Sequence, residues 1–278
     1  MRVTVKWSKS DINYVKALAA KHSNTEYQKE IRTRNLSIPW RRPHDDEIWD
    51  LHVQCILTSQ QASGPGSILA RTFDGVPYGK SELSLNALLE SKNRIERIRA
   101  FLRRNGFRMW ERRSRWIRDN FERFAADGRC RILDECALPL IERRRSKKDL
   151  NRNDLIELER NAVMELAHGA NKVNGMGPKQ ARHFLKQVGL SIYTIPVDVR
   201  LMHFLWDLLD TPDEAGPWTT ALGDEYTVRM IENWFGALSE DLGMTPVELD
   251  TLIWEVYGKG SADAHRGRGD NLVEKAHD

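Results

Sequence analysis

Two residues that could act together chemically, Lys179 and Asp198, each lie at the predicted start of a helix. A lysine amine is a nucleophile when it is neutral, and a carboxylate can stabilise positive charge that develops on a reacting carbon. Asp198 precedes an apolar helical run, so it can also serve as a helix N-cap, with or without a chemical role. Lys179 could equally be an ordinary solvated lysine. The pair is a candidate reactive site if folding brings the two side chains together.

Lys179 belongs to a short segment, residues 173–181, that contains Gly175 and Gly177. Glycine can adopt positive φ, and it lets the backbone approach a ligand with no Cβ in the way. The amides at a helix N-terminus bind anions, and a phosphodiester is a natural occupant of such a site. The segment therefore predicts a DNA-binding hairpin between two helices, although an ordinary helix-helix turn could show the same pattern.

Helices are predicted on both sides of the hairpin. Before it, apolar residues recur at roughly the helical period from Leu155 to Ala167, and Asp154 can cap the start of that helix. After it, apolar residues are spaced three and four apart, and Gly189 is typical of a helix C-terminus. Helical periodicity extends along most of the chain. We therefore expect a mainly α protein.

Residues 175–185, together with residues 195–200, resemble the helix-hairpin-helix superfamily of DNA glycosylases, and in particular its 8-oxoguanine DNA glycosylase/AP-lyase branch. In that superfamily a lysine and an aspartate at the positions of Lys179 and Asp198 form the catalytic pair. Residues 56–63 are similar to the family segment that fills the gap left by a flipped base. The resemblance spans roughly residues 44–258 and includes a helix start at 106–117 and a C-terminal helix at 248–254.

The resemblance implies a mainly α, two-lobed helix-hairpin-helix fold with an interlobe cleft. The predicted domains are a helical barrel of residues 42–192, with the hairpin at about 173–181, and a second lobe of residues 1–41 plus 193–262. Residues 263–278 are predicted to be a flexible tail. Lys179 would belong to the first lobe and Asp198 to the second, so the pair would meet across the cleft.

The implied activity is excision of a modified base that is flipped out of duplex DNA. Lys179 would add to C1′ of the sugar, and the resulting Schiff base would permit strand cleavage by β-elimination. Asp198 would either receive the lysine proton or stabilise the oxocarbenium-like sugar. An oxidised purine such as 8-oxoguanine is the implied substrate. The alternatives are the same chemistry on a bulky modified phage base, such as a glucosylated hydroxymethylcytosine, in anti-phage defence, and a non-catalytic DNA-binding module.

DNA contacts are expected from the two hairpin glycines, from residues 59–61 after an apolar helix, and from His183 and Arg200 near the candidate pair. Gln60 and Gln61 could instead be polar residues that end the helix, His183 could be a packing histidine, and Arg200 could be a surface charge. The expected DNA-binding residues are Gly175, Gly177, Ser59, Gln60, Gln61, His183 and Arg200.

The formal net charge of the 278-residue chain is only +3, but arginines crowd residues 94–118. Such a cluster can neutralise phosphates. The aromatic residues among these arginines could stack on bases. We favour the alternative that they form a buried stripe beneath a charged helix face. They are Phe101, Phe107, Trp110 and Trp116.

Cys55, Cys130 and Cys136 are too few and too scattered for a disulfide framework, which favours a reducing cytoplasm. Some members of the superfamily carry an iron-sulfur cluster on four clustered cysteines near the C-terminus. No cysteine follows Cys136, so we expect no such cluster, no metal and no other cofactor. No long apolar span and no secretory leader is evident. We expect a soluble, cytoplasmic, monomeric protein whose partner is double-stranded DNA with a modified base.

Overall fold

The computed structural model describes residues 7–22, 25–59, 66–146, 151–209 and 222–257, in which the chain forms helices and turns and no strand. The mainly α prediction is confirmed. In chain order the helices of these ranges are α1 Lys9–His22, α2 Glu26–Leu36, α3 Asp45–Leu57, α4 Ile68–Phe73, α5 Leu85–Leu89, α6 Arg94–Arg104, α7 Trp110–Phe124, α8 Ile132–Cys136, α9 Leu138–Arg145, α10 Arg152–His168, α11 Pro178–Gln187, α12 Val199–Leu209, α13 Glu225–Leu242 and α14 Pro246–Tyr257.

The start of α10 differs from the expected one. The helix begins at Arg152 because Asn151 is its N-cap, and the side-chain oxygen of Asn151 accepts a hydrogen bond of 2.9 Å from the amide of Asn153. The cap predicted at Asp154 is therefore wrong. Asp154 lies in the first turn of the helix, where a carboxylate is favoured by the positive end of the helix dipole.

The helix after the hairpin, α11, is amphipathic as expected. Ala181, Phe184 and Leu185 are fully buried on one face. The helix ends at Gln187, and Gly189 follows with φ +80°, which is the left-handed conformation that commonly ends a helix. The predicted stop at Gly189 is confirmed.

The buried apolar side chains form two cores. The first core contains residues of α3 to α11 and extends from Trp40 to Leu190. The second core contains residues of α1, α2 and α12 to α14. The chain passes from the first core to the second between Leu190 and Ile195. The lobe boundaries proposed from the sequence stay a prediction.

Buried ion pairs connect α11 to the helices of the second core. The Arg182 guanidinium is buried, and it donates to Glu232 of α13 at 2.8 Å and to Glu225 of α13 at 2.7 Å. Lys186 donates to Asp250 of α14 at 2.5 Å, and both side chains are buried. Because the apolar face of α11 belongs to the first core, this helix is held by both cores.

Candidate active site

The segment between α10 and α11 is a tight hairpin. The start of the hairpin is fixed by the Val173 amide, which donates a hydrogen bond of 2.8 Å to the Leu166 carbonyl at the end of α10. Gly175 has φ +81°, whereas Gly177 is the N-cap of α11 with φ −86° and ψ 177°. Only Gly175 therefore needs the conformational freedom of glycine. The amides in the first turn of α11 have no acceptor within the helix, as at every helix N-terminus. Such a group of amides can bind an anion.

Helix α7 packs against the hairpin and hydrogen-bonds to its backbone. The Asn120 side chain makes two hydrogen bonds with the backbone of Asn174, donating to its carbonyl at 3.0 Å and accepting from its amide at 2.9 Å. Trp116 packs directly against Gly175, so that a Cβ on Gly175 would lie 2.5 Å from Cε3 of the indole. Arg123 donates to the carbonyl of Ala170 at 3.0 Å. The hairpin conformation is thus fixed by tertiary contacts as well as by its own sequence.

Lys179 and Asp198 lie beside each other, although 18 residues separate them in the sequence. Lys179 is the second residue of α11, and its Nζ lies 3.7 Å from Oδ2 of Asp198. The lysine side chain is 51% exposed and the aspartate side chain 5% exposed. The amine is therefore open to solvent or to a ligand, while the carboxylate lies at the wall of the site.

Asp198 is also the N-terminal cap of α12. Its Oδ1 accepts hydrogen bonds from the amides of Arg200 at 3.0 Å and Leu201 at 3.4 Å. Its Oδ2 accepts from Nε of Arg200 at 2.9 Å and also from Nη2 of the same guanidinium. Burial by itself would raise the pKa of Asp198, but Arg200, with a smaller contribution from Lys179, lowers that pKa below its usual value. The carboxyl group is therefore ionised at neutral pH.

His183 lies one helical turn after Lys179 and is half-buried. Burial lowers its pKa to about 3, and the neighbouring cations Lys186 and Arg200 contribute in the same direction. The imidazole is therefore neutral at physiological pH. Its expected phosphate contact stays a prediction, and it would have to be made by a neutral ring.

Two buried carboxylates near the site were not found by the sequence analysis. Asp250 pairs with Lys186, and the carboxylate keeps the buried lysine charged by raising its pKa against the effect of burial. Glu159 of α10 accepts hydrogen bonds from the amides of Ile192, Tyr193 and Thr194 at 2.7, 2.9 and 2.7 Å. Glu159 thereby fixes the connection that leads from α11 to Asp198. Its position on the apolar face of α10 is the signal that could have revealed it.

Of the segment expected to fill the gap left by a flipped base, residues 56–59 are described and residues 60–63 lie outside the described ranges. This applies to Gln60 and Gln61, whose predicted DNA contacts remain predictions. Ser59 is described, and its carbonyl accepts a hydrogen bond from Nη2 of Arg113 in α7. Arg113 is a buried residue, and in the sequence it is marked only as one member of the arginine cluster.

The aromatic residues of the arginine-rich segment pack inwards, as favoured from the sequence. Phe101 and Phe107 are buried, and Trp110 and Trp116 are partly buried against the first core. Among the arginines, Arg112 lies over the Trp116 ring at 4.6 Å from its centroid. Several others form salt bridges with nearby carboxylates, namely Arg94, Arg99, Arg104 and Arg118. The cluster is therefore only partly available for phosphates.

Cys55, Cys130 and Cys136 are buried free thiols, and burial raises the pKa of each. Within the described ranges, no group of three or more His, Cys, Asp or Glu side chains is arranged to hold a metal ion. None of the helices in the same ranges is long and apolar enough to cross a bilayer.

Comparison with solved structures identifies the fold. The 8-oxoguanine DNA glycosylase of Methanocaldococcus jannaschii is 17% identical in sequence, with a TM-score of 0.57 over 89% of this chain and 95% of that chain. The 8-oxoguanine glycosylase/lyase of the same organism in complex with a 15mer DNA containing 8-oxoguanine is 18% identical, with a TM-score of 0.56 over 89% and 95% of the two chains. The 8-oxoguanine DNA glycosylase of Thermotoga maritima is 14% identical, with a TM-score of 0.51 over 89% and 94%.

No protein-family model matches the sequence, and no curated protein matches it significantly. At these identities the similarity to the three structures establishes the fold. The chain therefore has the helical fold of these glycosylases, as the resemblance of its motifs implied.

Proposed function

We propose that this protein is a DNA glycosylase that removes a modified base through Lys179 and Asp198 and then cleaves the DNA strand as an AP lyase. The observation that carries the proposal is the 3.7 Å separation of the lysine Nζ and the aspartate Oδ2, at the first turn of the helix that follows the hairpin. The fold of the similar structures supports the same assignment.

Lys179 is the nucleophile in this proposal. An amine adds only in its neutral form, so the lysine gives up a proton before attack. Its nitrogen then bonds to C1′ of the flipped nucleotide, and the bond between C1′ and the base breaks. The departing base takes the bonding electrons and a proton. Loss of the sugar ring oxygen from C1′ gives a Schiff base, which makes the C2′ proton acidic. Removal of that proton expels the 3′ phosphate by β-elimination.

Asp198 stabilises the positive charge that develops on the sugar when the base departs. A fixed carboxylate at the wall of the site provides this stabilisation without reorganisation during the reaction. The hydrogen bonds from the first turn of α12 keep Oδ1 in place. The capping role of Asp198 and its proposed electrostatic role are therefore compatible.

The hairpin binds a backbone phosphate of the duplex, through the amides at the start of α11. We further propose an oxidised purine such as 8-oxoguanine as the excised base. Support comes from the similar structures, which are 8-oxoguanine DNA glycosylases, one of them bound to DNA with that base. A panel of duplexes tests this assignment. It includes 8-oxoguanine, alkylated purines, oxidised pyrimidines and glucosylated hydroxymethylcytosine, and the bases released are identified by mass spectrometry.

Borohydride trapping tests the nucleophile. Wild-type protein is expected to form a covalent adduct with a duplex that contains 8-oxoguanine, because borohydride reduces the Schiff base. Lys179→Gln is expected to lose the adduct and still bind the duplex. Lys172→Gln, which removes an exposed lysine just before the hairpin, is the matched control and should be trapped normally. Trapping of Lys179→Gln at the wild-type level would disprove the assignment.

Asp198→Asn tests the carboxylate. The amide keeps an oxygen for capping α12 but removes the negative charge, so excision is expected to fall by about 10²-fold or more with the fold intact. Near-normal excision would remove Asp198 from its role. A wild-type protein that binds duplex DNA but leaves every base of the panel in place would favour a non-catalytic DNA-binding module.

A further inference from the structure

The carboxylate of Asp198 has a second cationic neighbour that is closer than Lys179. Arg200 was expected either to contact the DNA backbone or to be a surface charge. Its side chain is only 24% exposed, and its guanidinium donates to Oδ2 of Asp198 from both Nε and Nη2. Lys179 approaches the same oxygen, but at 3.7 Å it lies beyond hydrogen-bonding distance. The arginine is therefore the main partner of the proposed catalytic carboxylate.

The two oxygens of Asp198 are occupied in different ways. Oδ1 accepts from the amides of Arg200 and Leu201, and Oδ2 accepts from the Arg200 side chain. A carboxylate with these donors is held in one orientation and is stabilised in its charged form. To take a proton from Lys179, it would have to give up part of the arginine contact. The arrangement suits a fixed negative charge better than a proton acceptor.

Arg200 lies against an aromatic side chain of α14. Its guanidinium lies over the ring of Trp254 at 5.9 Å from the centroid. Trp254 packs against Tyr27, with 5.1 Å between the ring centroids. The aromatic surface therefore limits the positions that the guanidinium can adopt, and the arginine can act as a fixed support for the carboxylate.

The other charged groups around Asp198 are already satisfied or neutral. Asp250 balances Lys186, and the imidazole of His183 is neutral at physiological pH. The titratable and charged groups that interact with Asp198 from the surrounding helices are Lys179 and His183 on α11, Arg200 on α12 and Asp250 on α14; Lys186 on α11 interacts with Arg200 and Asp250. Among these groups, Arg200 is the cation that donates hydrogen bonds to Asp198, whereas its interaction with Asp250 is electrostatic only.

We propose that Arg200 is a positioning residue that holds Asp198 as a permanent negative charge, so that Asp198 stabilises the cationic sugar and does not accept the proton of Lys179. This inference rests on the proposed glycosylase function and chooses between the two roles that the sequence left open for Asp198. The lysine proton passes instead to water, which can reach Nζ because half of that side chain is exposed. The water becomes hydronium and the amine becomes neutral.

The experiment compares wild type with Arg200→Gln and Arg200→Lys in single-turnover excision between about pH 5 and pH 8. Without the guanidinium, Asp198 takes up a proton more readily as the pH falls. The ratio of the Arg200→Gln rate to the wild-type rate is therefore expected to be about tenfold lower near pH 5 than near pH 8. Arg200→Lys, which retains a cation, is expected to recover part of this loss at acid pH.

Two controls separate this role from others. Asp250 is a buried acid that interacts with Asp198, so the double variant Asp250→Leu, Lys186→Met, which removes this acid together with its counter-charge, shows how much of the acid-side loss belongs to Asp250. The salt dependence of binding to a duplex with an abasic-site analogue tests the sequence-based expectation of a phosphate contact. If Arg200 binds a phosphate, Arg200→Gln reduces the slope of log K against log salt by about 0.9. The positioning role predicts no change in this slope.

A measurement without catalysis tests the effect of Arg200 on the charge of Asp198 separately from the proposed function. The protein is labelled with ¹³C at aspartate carboxyl carbons, and the Asp198 signal is assigned by its loss in Asp198→Asn. Its titration midpoint is expected to move to higher pH in Arg200→Gln. An unchanged midpoint would overturn the inference even if wild type excises bases. An equal loss of rate at every pH, or a reduced salt slope with an unmoved pH profile, would overturn it as well. If wild type excises nothing while the midpoint moves, the glycosylase proposal fails and the electrostatic role of Arg200 stands.

Discussion

The two hairpin glycines are equivalent in the sequence pattern but differ in the structure, and Gly175→Ala is the substitution that exposes the difference. Alanine at position 175 would have to adopt φ +81°, and its Cβ would lie 2.5 Å from Cε3 and 2.9 Å from Cδ2 of Trp116. The left-handed conformation costs about 1–2 kcal/mol for a residue with a Cβ. Displacement of the indole adds about 1–3 kcal/mol, as overpacking does in other cores. We expect a total loss of about 2–5 kcal/mol in the free energy of unfolding.

Gly243→Ala is the matched control. Gly243 has φ +70°, and a Cβ there would meet nothing within 4 Å. This variant therefore carries the conformational cost of about 1–2 kcal/mol without the steric one. Both substitutions also remove the same freedom from the unfolded chain, so that contribution cancels in the comparison. The difference between the two variants isolates the contact of the hairpin with Trp116.

Urea denaturation measures both variants, and a double variant checks the cause. Gly175→Ala combined with Trp116→Leu should lose less stability than the sum of the two single changes, because the smaller side chain leaves room for the new methyl group. Gly177→Ala should be nearly neutral by comparison, since its φ is ordinary and its Cβ would lie 3.4 Å from the nearest side-chain atom. Equal losses for Gly175→Ala and Gly243→Ala would refute the argument.

Three further predictions concern buried polar groups. Burial lowers the pKa of His52 to about 3, below its unfolded value of about 6.5. Between these two pH values the unfolded chain binds more protons than the folded chain. The free energy of unfolding should therefore fall as the pH decreases, by at most about 1.4 kcal/mol per pH unit from this residue. His52→Gln should make that decline shallower in urea titrations at several pH values, and an unaltered slope would contradict the assignment. Glu159→Ala leaves buried backbone amides without an acceptor and should lower the free energy of unfolding by about 3–5 kcal/mol. Glu159→Gln keeps one accepting oxygen and should lower it clearly less. Asp250→Asn leaves Lys186 buried without a counter-charge and should cost about 3–5 kcal/mol of unfolding free energy. Asp250→Leu combined with Lys186→Met should cost much less. If the loss of stability in the double variant equalled the sum of the two single losses in denaturation, the two residues would not be a coupled pair.

The sequence predicted the parts of the site that have a local signature. Glycines before a helix indicated the hairpin, and the three-and-four spacing of apolar residues indicated α11. The proximity of Lys179 and Asp198 followed from the resemblance of two short motifs, and the structure places their side chains 3.7 Å apart. Their catalytic roles and the expected DNA contacts stay predictions.

The remaining features depend on contacts between distant segments. The partners in the pair Lys186 and Asp250 are 64 residues apart, and those in the hydrogen bonds of Asn120 to Asn174 are 54 apart. No periodicity or spacing in one segment specifies a partner in another. Arg200 differs, because it lies only two residues after Asp198. The sequence indicated a charged residue near the candidate pair, but the orientation of its side chain depends on the ring of Trp254, 54 positions later.

Helix α7 holds two elements that the proposed function places on DNA. Arg113 fixes the carbonyl of Ser59, and Asn120 fixes the backbone of Asn174. Arg113 and Asn120 are seven positions apart in the sequence, and an α-helix rises about 10.5 Å over seven residues. On the proposed function, one helix therefore carries both the phosphate-binding hairpin and the backbone at Ser59, so neither segment can shift along the axis of α7 relative to the other while these two contacts hold.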